Sequence, residues 1–507
     1  MSHDRLLARN VLLNFLGQIV PLVAALVAIP LLVRTLGAPR FGILTLVWAA
    51  IGYFGLFDFG IGRALTHAIA IRVGAGDTEE LAAVTWTALA LMLAFGAVGG
   101  VILAATTGPL VGRWLNVPPA LNGEARSAFY LMALSLPFSL LSTGFRGVME
   151  AFQDFRTSTA LRIPIGILLY VAPAAMLPFS HALGPVVSTL CALRIIGCLL
   201  HLIFCLRLYP YMRRDPALRF RLVGPLLRYG GWMTVSNIVS PIMVNMDRFV
   251  IGALLPMAAV AYYVTPYELV TKLFLIPAAI LGVLFPALAT VFSSDRTRAV
   301  SLVDRCVRVI LIALFPATLV MVLLAHEGLT FWVGAVYAKE GTAILQILAI
   351  GVLINCAAGQ VAYTALQSLG RPDLTARVHL VELPLYLGAM WLFVHWWGLV
   401  GVAMVWTLRV TADAAVLFTL MVRNIHETRP AAFAAARMLG VMTVALVAAA
   451  LLPSTTARLL ALAVSGVAFA FIAWKLLLEP VERLAIREFV TGGWRLAAVL
   501  PNEAAED

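Results

Sequence analysis

Charged residues are scarce in this chain of 507 residues, and their scarcity excludes a soluble fold. Only 12% of the residues are Asp, Glu, Lys or Arg, whereas 62% belong to the hydrophobic set. Soluble domains carry about 25% charged and about 45–50% apolar residues. A globular fold has no way to hide so much apolar surface from water, but a lipid bilayer covers it. The composition therefore predicts an all-α membrane protein that crosses the bilayer many times.

Cysteine is scarce as well, and the five cysteines form no pattern that predicts disulfides. Cys191, Cys198 and Cys205 recur at heptad spacing on one predicted helix, so they share one face. A metal or redox site is one interpretation of this stripe, and the packing of small apolar side chains in a membrane helix is the favoured one. We expect neither a metal nor a cofactor.

Motifs for enzyme chemistry are missing. The sequence has no phosphate-binding loop, no metal-ligand cluster and no nucleophile–base spacing, and the longest predicted external loop runs only from Gly108 to Glu124. We therefore expect no catalytic residues and no direct use of ATP. A cleavable signal peptide is not expected either, since residues 11–33 are too long for a signal core and lack a clear cleavage site.

Long apolar stretches recur along the whole chain, and each is long enough to cross a bilayer as a helix. They predict fourteen transmembrane helices, at residues 11–33, 42–63, 82–107, 125–147, 160–180, 183–207, 228–251, 260–291, 306–325, 341–367, 377–396, 398–422, 437–453 and 457–478.

Basic residues concentrate in the loops on one side of these predicted spans. The richest loop runs from Arg207 to Arg228, whereas the turns at Gly184 and Gly398 carry no basic residue. This bias predicts that both termini are cytoplasmic. The net charge of +11 is thus interpreted as a topology signal, with anionic membrane lipids as a further possible partner. No nucleic-acid partner is expected.

The two halves of the chain look related. Sliding the first span onto the seventh aligns Arg9 with Arg228 and Gln18 with Asn237, and the fourth and tenth spans end alike at a nearly equal offset. The pattern predicts six helices repeated in the same orientation, with a substrate site between the halves. The predicted domains are an N-terminal bundle at 1–215, a C-terminal bundle at 216–425, and two extra helices with a cytoplasmic tail at 426–507.

Several motifs stand out between residues 9 and 420. They are Arg34-Thr35-Leu36-Gly37-Ala38-Pro39-Arg40-Phe41-Gly42, Phe57-Asp58-Phe59-Gly60-Ile61-Gly62-Arg63, Glu150-Ala151-Phe152-Gln153-Asp154-Phe155, Asp247-Arg248-Phe249-Val250-Ile251-Gly252, Leu284-Phe285-Pro286-Ala287-Leu288 and Gln367-Ser368-Leu369-Gly370-Arg371-Pro372. Together they resemble the motifs of Wzx-type oligosaccharide flippases, which belong to the multidrug/oligosaccharidyl-lipid/polysaccharide (MOP) exporter superfamily.

This resemblance implies an alternating-access flippase. Such a protein moves an undecaprenyl-pyrophosphate-linked oligosaccharide from the cytoplasmic to the periplasmic leaflet, for O-antigen, capsule or exopolysaccharide biosynthesis. It also implies two six-helix bundles around a central cavity. A coupling ion, either proton or sodium, and a polysaccharide polymerase with other assembly proteins are the further partners expected.

Ionisable and polar residues inside the spans are the candidates for the work of transport, because each is costly in lipid unless it is paired or hydrated. Lys272 and Glu268 lie one helical turn apart near the middle of the eighth span. Lys272 is predicted to meet a phosphate or sugar, and Glu268 to hold Lys272 or to take a coupling proton. A purely structural ion pair is the alternative. Arg194, in the sixth span, needs a carboxylate, a lipid phosphate or water.

The remaining candidates form pairs. Asn14 and Gln18 make a polar stripe for sugar hydroxyls or for a neighbouring helix. Asp58 is expected to pair with Arg63, to gate the inner mouth or to cap backbone. Two further pairs are predicted as gating or structural ion pairs: Asp247 with Arg248 at the outer end of the seventh span, and Arg409 with Asp413 in the twelfth.

Three alternative interpretations of the function stay open at this point. A multidrug or cation antiporter of the same superfamily is disfavoured because such proteins tend to place acids in the first helices, and the first span here has none. A lipid II flippase would carry more arginine in its early helices. A membrane enzyme that modifies glycans would show longer external loops.

Overall fold

The computed structural model describes residues 3–53, 60–74, 80–152, 154–214, 218–278, 280–281, 296–369, 371–478 and 483, and it contains no strand among them. Helices are what the composition demands, since a helix satisfies every backbone polar group within its own segment and lipid offers no other partner. The helices are α1 (His3–Tyr53), α2 (Ile61–Gly74), α3 (Leu81–Pro109), α4 (Asn122–Ala151), α5 (Phe155–Met176), α6 (Leu183–Leu208), α7 (Tyr211–Arg214), α8 (Val223–Leu254), α9 (Met257–Thr271), α10 (Arg296–Leu323), α11 (Ala325–Trp332), α12 (Ala335–Ile354), α13 (Gln360–Ser368), α14 (Pro372–Asn424), α15 (Arg429–Ala450) and α16 (Thr455–Ile472).

Short turns of other helical types join or extend several of these helices. The 3₁₀ turns are Pro119–Leu121, Phe220–Leu222, Lys272–Phe274 and His426–Thr428, and the π turns are Leu110–Trp114, Asn355–Gly359 and Ala473–Leu477. The predicted span 260–291 is therefore interrupted, because α9 ends at Thr271 and a 3₁₀ turn begins at Lys272.

Ten helices in the described part of the chain are long and apolar enough to cross a membrane. Two of the longest are broken at a glycine: α1 at Gly37, with φ of 74°, and α14 at Gly398, with φ of 56°. Only glycine adopts such angles readily, so each break separates two helical segments, as the predicted turn at Gly398 requires. The all-α membrane fold is confirmed, whereas the count of fourteen spans stays a prediction.

The chain divides into two compact units. Unit 1 comprises Met1–Lys272, His326–Ile344 and Asp373–Arg409, and unit 2 comprises Leu273–Ala325, Leu345–Pro372 and Val410–Asp507. In unit 2, α10 packs against the C-terminal helices, where the Phe315 and Phe469 rings lie 4.7 Å apart. The division into sequence-related bundles at 1–215 and 216–425 is a separate matter and stays a prediction.

Glycine lets α3 and α4 approach each other closely in unit 1. A Cβ atom on Gly96 would lie 2.6 Å from the Pro137 Cα, and one on Gly100 would lie 2.7 Å from the Ala133 carbonyl oxygen. Small residues four apart are a common contact between membrane helices, where close packing replaces the hydrophobic effect as the driving force. The pair therefore fixes the spacing of α3 and α4.

Gly96→Leu is expected to lower the free energy of unfolding by about 1–3 kcal/mol, because the added side chain meets backbone that has no room to move. The measurement is the thermal midpoint of the purified protein in detergent. Gly108→Leu on the same helix is the matched control, since a Cβ there meets nothing within 4 Å. Equal midpoints for the two variants would contradict the packing described.

Candidate functional site

A chain of ionic hydrogen bonds crosses from α8 to α9 in unit 1. Arg248 Nη2 donates to Glu268 Oε1 over 2.8 Å, and Lys272 Nζ donates to Glu268 Oε2 over 2.9 Å. Arg248 is buried, with 6% of its side chain exposed, whereas Glu268 is 25% and Lys272 30% exposed. The predicted pairing of Glu268 with Lys272 is present, and Glu268 also holds a second cation that its own helix does not supply.

Asp247 lies beside this chain and is fully buried. Its Oδ1 accepts a hydrogen bond of 2.7 Å from the backbone N–H of Arg248, while Oδ2 has no hydrogen-bond partner. We expected Asp247 and Arg248 to form a pair at the outer end of the span. The structure instead buries both residues and gives the Arg248 guanidinium to Glu268, because a carboxylate on the next helix reaches the side chain better than the adjacent residue does.

Aromatic side chains surround the ion chain. The Arg248 guanidinium carbon lies 5.5 Å from the centre of the Tyr267 ring, and Tyr267 in turn meets Tyr263 at 5.8 Å and Trp406 at 6.1 Å. A cation over a tyrosine face is stabilised by the ring quadrupole, most strongly where water is excluded. Tyr170 of α5 adds an electrostatic contact to Lys272.

A second ion pair joins the two segments of α14. Arg409 Nε donates to Glu382 Oε1 over 2.8 Å, each side chain is 13% exposed, and Arg409 also lies over the Tyr386 ring at 5.5 Å. We expected Arg409 to pair with Asp413 one turn away. The break at Gly398 brings Glu382 to Arg409 instead, whereas Asp413 belongs to unit 2.

A cavity of about 360 Å³ lies between α4, α5 and α6 in unit 1. Three arginines line it, one from each helix: Arg146, Arg162 and Arg194. Arg194 Nη1 donates to the Ser139 hydroxyl over 2.7 Å. The other lining residues are Leu140, Ser142, Thr143, Ile165, Gly166, Leu169, Leu193, Gly197 and His201, so none of the lining residues is acidic.

Arg146 and Arg162 were not singled out as site residues from the sequence. Each lies near a predicted cytoplasmic end of its helix, where arginine is read as a topology signal. Only the packing of α4, α5 and α6 shows that both side chains join Arg194 around one cavity. His201 also lines this cavity, and its Nδ1 lies 2.7 Å from the Gly197 carbonyl oxygen.

Four predicted site residues lie outside what the structure describes. Asp58 falls in the undescribed segment 54–59, and the side chains of Asn14, Gln18 and Arg63 are not described although their helices are. Their roles stay predictions. All five cysteines are free thiols, and the three that form a stripe on α6 are buried.

Comparison with solved structures identifies the class of protein. An inward-facing multidrug resistance MATE family transporter of the MOP superfamily matches 81% of this chain and 99% of its own, with a TM-score of 0.70 and 16% identity. The lipid II flippase MurJ, in an inward closed conformation, matches 91% of this chain and 99% of its own, with a TM-score of 0.64 and 14% identity. The chain is thus a multi-pass membrane protein with the fold of MOP-superfamily transporters.

The sequence comparison narrows this class to a family. A profile of the family described as "Polysaccharide biosynthesis protein" matches residues 7–292, more than half of the chain, so the chain belongs to that family. A protein of Shigella flexneri named "Putative O-antigen transporter" is 29% identical over 420 residues, which cover 82% of this chain and 97% of the relative. The resemblance to polysaccharide flippases is confirmed at this level.

Arg248→Met is expected to lower the free energy of unfolding by about 3–5 kcal/mol, because it leaves the buried Asp247 without the cation beside it and removes one of the two cations that bind Glu268. The measurement is unfolding in mixed micelles of rising denaturing detergent. Arg377→Met is the control: Arg377 is 76% exposed and lies 3.7 Å from Asp373, and exposed pairs contribute at most about 1 kcal/mol. If the two variants unfolded alike, the ion chain would not stabilise unit 1.

Proposed function

We propose that this protein moves an undecaprenyl-pyrophosphate-linked oligosaccharide from the cytoplasmic to the periplasmic leaflet by alternating access. Membership of the polysaccharide biosynthesis family, a relative named as an O-antigen transporter and the fold shared with a lipid II flippase support this proposal. The glycan serves O-antigen, capsule or exopolysaccharide biosynthesis, and the protein acts as a transporter and not as an enzyme.

The cavity between α4, α5 and α6 is the observation that carries the proposal. A pyrophosphate needs cations and hydrogen-bond donors if it is to leave water, and arginine binds phosphate oxygens in a two-pronged, geometrically specific way. Arg146, Arg162 and Arg194 supply the cations. The hydroxyls of Ser139, Ser142 and Thr143, which also line the cavity, are donors and acceptors suited to phosphate or sugar.

The position of the cavity along the helices fits a cargo taken from the cytoplasmic side. Arg146 lies about 8 Å before the end of α4 and Arg162 about 10 Å after the start of α5, at 1.5 Å per residue. In the predicted topology both of these helix ends are cytoplasmic. Arg194 lies deeper, near the middle of α6, so the three guanidinium groups are spread from the cytoplasmic end toward mid-membrane.

The same cavity disfavours a cation antiporter. Binding an organic cation in a low-dielectric site requires a carboxylate or an aromatic cage, and the lining residues of this cavity include no Asp or Glu and no Phe, Tyr or Trp. Sugar hydroxyls lose about 4–8 kcal/mol each in hydrocarbon without a partner, so a polar lining is needed for a glycan cargo.

Coupling to an ion gradient completes the proposal. The membrane potential supplies about 2.3 kcal/mol per charge per 100 mV, and a proton or a sodium ion is the proposed carrier. A polysaccharide polymerase and other assembly proteins are the proposed partners on the far side of the membrane, with membrane lipids around the helices.

Replacing Arg146, Arg162 and Arg194 together by Gln is expected to abolish export while leaving the protein in the membrane. The test is complementation of a deletion strain, in which the unchanged protein restores surface glycan and the triple variant leaves lipid-linked repeat units at the cytoplasmic leaflet. Arg213→Gln, which changes an exposed arginine outside the cavity, is the control and should complement fully.

Two outcomes would contradict the proposal. Single repeat units already present in the periplasm of the deletion strain would indicate a polymerase. Normal glycan together with raised sensitivity to cationic drugs would indicate an antiporter.

We also propose that the protein lies in the bacterial inner membrane with both termini cytoplasmic. The support is the basic loop between α6 and α8, which includes Arg207, Arg213, Arg219 and Arg221, because positive residues remain on the cytoplasmic side. Green fluorescent protein fused to residue 507 should fluoresce, and alkaline phosphatase fused there should be inactive. The opposite pair of results would reverse the topology.

A further inference from the structure

Asp247 is a fully buried acidic group with few partners in unit 1. Its Oδ1 accepts from the backbone N–H of Arg248, and the Tyr263 hydroxyl interacts with the carboxylate, although Oδ2 meets no donor at full hydrogen-bond geometry. A buried polar atom without a partner costs about 1–3 kcal/mol, and more when the group is charged. Such a group calls for a specific occupant, such as a proton, a water or an ion.

The groups that face Asp247 come from three helices. Arg248 belongs to α8, Tyr263 and Glu268 belong to α9, and Tyr386 belongs to α14. The buried Tyr263 hydroxyl is the side-chain hydrogen-bonding neighbour of the carboxylate, and Tyr267 and Tyr386 interact with it electrostatically. The carboxylate therefore lies among tyrosine hydroxyls, which are able to donate to its ionised form and to accept from its protonated form.

The charges of the ion chain balance only when Asp247 is counted. Arg248 and Lys272 contribute two positive charges, and Glu268 with an ionised Asp247 contributes two negative charges. Exposure rises along the chain from the sealed Asp247 through Glu268, 25% exposed, to Lys272, 30% exposed. Among these three residues Lys272 is the most exposed and Asp247 the least, so we take Lys272 as the member open to an anion.

An anion at Lys272 disturbs this balance. When the ammonium group turns from Glu268 toward an anion, Arg248 becomes the principal cation for both Glu268 and Asp247. A proton that binds the Asp247 carboxylate removes the excess negative charge and turns Oδ2 into a hydroxyl that donates to a tyrosine oxygen. The step is a simple transfer: hydronium loses a proton to the carboxylate and becomes water.

We propose that Asp247 is a proton-binding site whose occupancy is linked, through Arg248 and Glu268, to the binding of an anion at Lys272. This proposal identifies the coupling ion of the transport cycle as a proton, and it therefore rests on the proposed function. Tyr170 connects it to the arginine cavity, because Tyr170 interacts with Lys272 and lies about two helical turns from Arg162 on α5.

The first experiment measures proton binding without any transport. Infrared difference spectra of the purified protein in nanodiscs, recorded over a range of pH, should contain the carbonyl band of a protonated carboxyl group. Asp247→Asn should remove that band, and Glu340→Gln, which neutralises an exposed acid on α12, should keep it. A band that persists in Asp247→Asn, or a pH titration without such a band, overturns the proposal.

A second variant covers the case in which Asp247→Asn fails to fold. Tyr263→Phe keeps the carboxyl group and removes one of the hydroxyls that face it. It should displace the pH at which the band is half-developed, whereas an unchanged value overturns the proposed surroundings of the proton.

The linkage has its own test, with inorganic pyrophosphate as the probe and isothermal calorimetry as the measurement. Coupling is reciprocal, so the affinity for pyrophosphate should rise at least about fivefold as the pH falls through the range in which the carbonyl band develops. In Asp247→Asn this affinity should not depend on pH. Affinity that follows sodium concentration instead of pH overturns the proposal.

The outcome for transport is separate. If Asp247→Asn loses the carboxyl band while glycan export in the complemented strain is unchanged, the proton site stands and its link to transport falls. If the strain shows that the protein exports no glycan at all, the proposed function falls while the infrared result still decides the proton site.

Discussion

Charge buried at membrane depth needs a complete set of partners, and the ion chain of unit 1 shows how this chain supplies them. Arg248 is the central member, since its guanidinium bonds Glu268, lies over the Tyr267 ring and stands beside Asp247. Removing water from a charge costs several kcal/mol, which is recovered only when the opposite charges and donors are already in place. The packing of α8 against α9 therefore brings opposite charges together as well as apolar side chains.

The two polar regions of unit 1 differ in character. The ion chain holds acids and bases in nearly equal number, so its members satisfy one another. The cavity between α4, α5 and α6 is lined by three arginines and by no acid. Arg146 also pairs with Glu150 of its own helix over 3.6 Å, but the lining itself presents only cations to an anion. The arginine-lined cavity is suited to attract an anionic cargo, and the charge-balanced ion chain is suited to respond to one. The two regions are therefore complementary in a transport cycle.

The fold is shared with a multidrug transporter and with a lipid II flippase, so it cannot by itself identify the cargo. The residue types at the cavity make that distinction, because a cation carrier and a pyrophosphate carrier need opposite charges in the same framework. Sequence and fold place the protein in its family, and the electrostatics of a few side chains carry the proposal about its cargo.

Contacts within one helix were predictable from spacing. Glu268 and Lys272 are four residues apart and meet as one-turn neighbours do. The same rule failed for Arg409, whose partner Glu382 lies across the break at Gly398 and far away in sequence. A one-turn spacing states which side chains are able to meet, but a carboxylate on a neighbouring segment competes for the same cation, and no local pattern reveals that competition.

By itself the sequence determined the membrane class, the helical character, the turn at Gly398 and the family, because hydropathy and backbone geometry are local properties. Only the tertiary structure decided which helices meet, that Arg146, Arg162 and Arg194 surround one cavity, and that Asp247 is sealed among tyrosines. The physical reason is that charge pairing and burial depend on distances between helices, and those distances are set by how small residues such as Gly96 and Gly100 let helices approach.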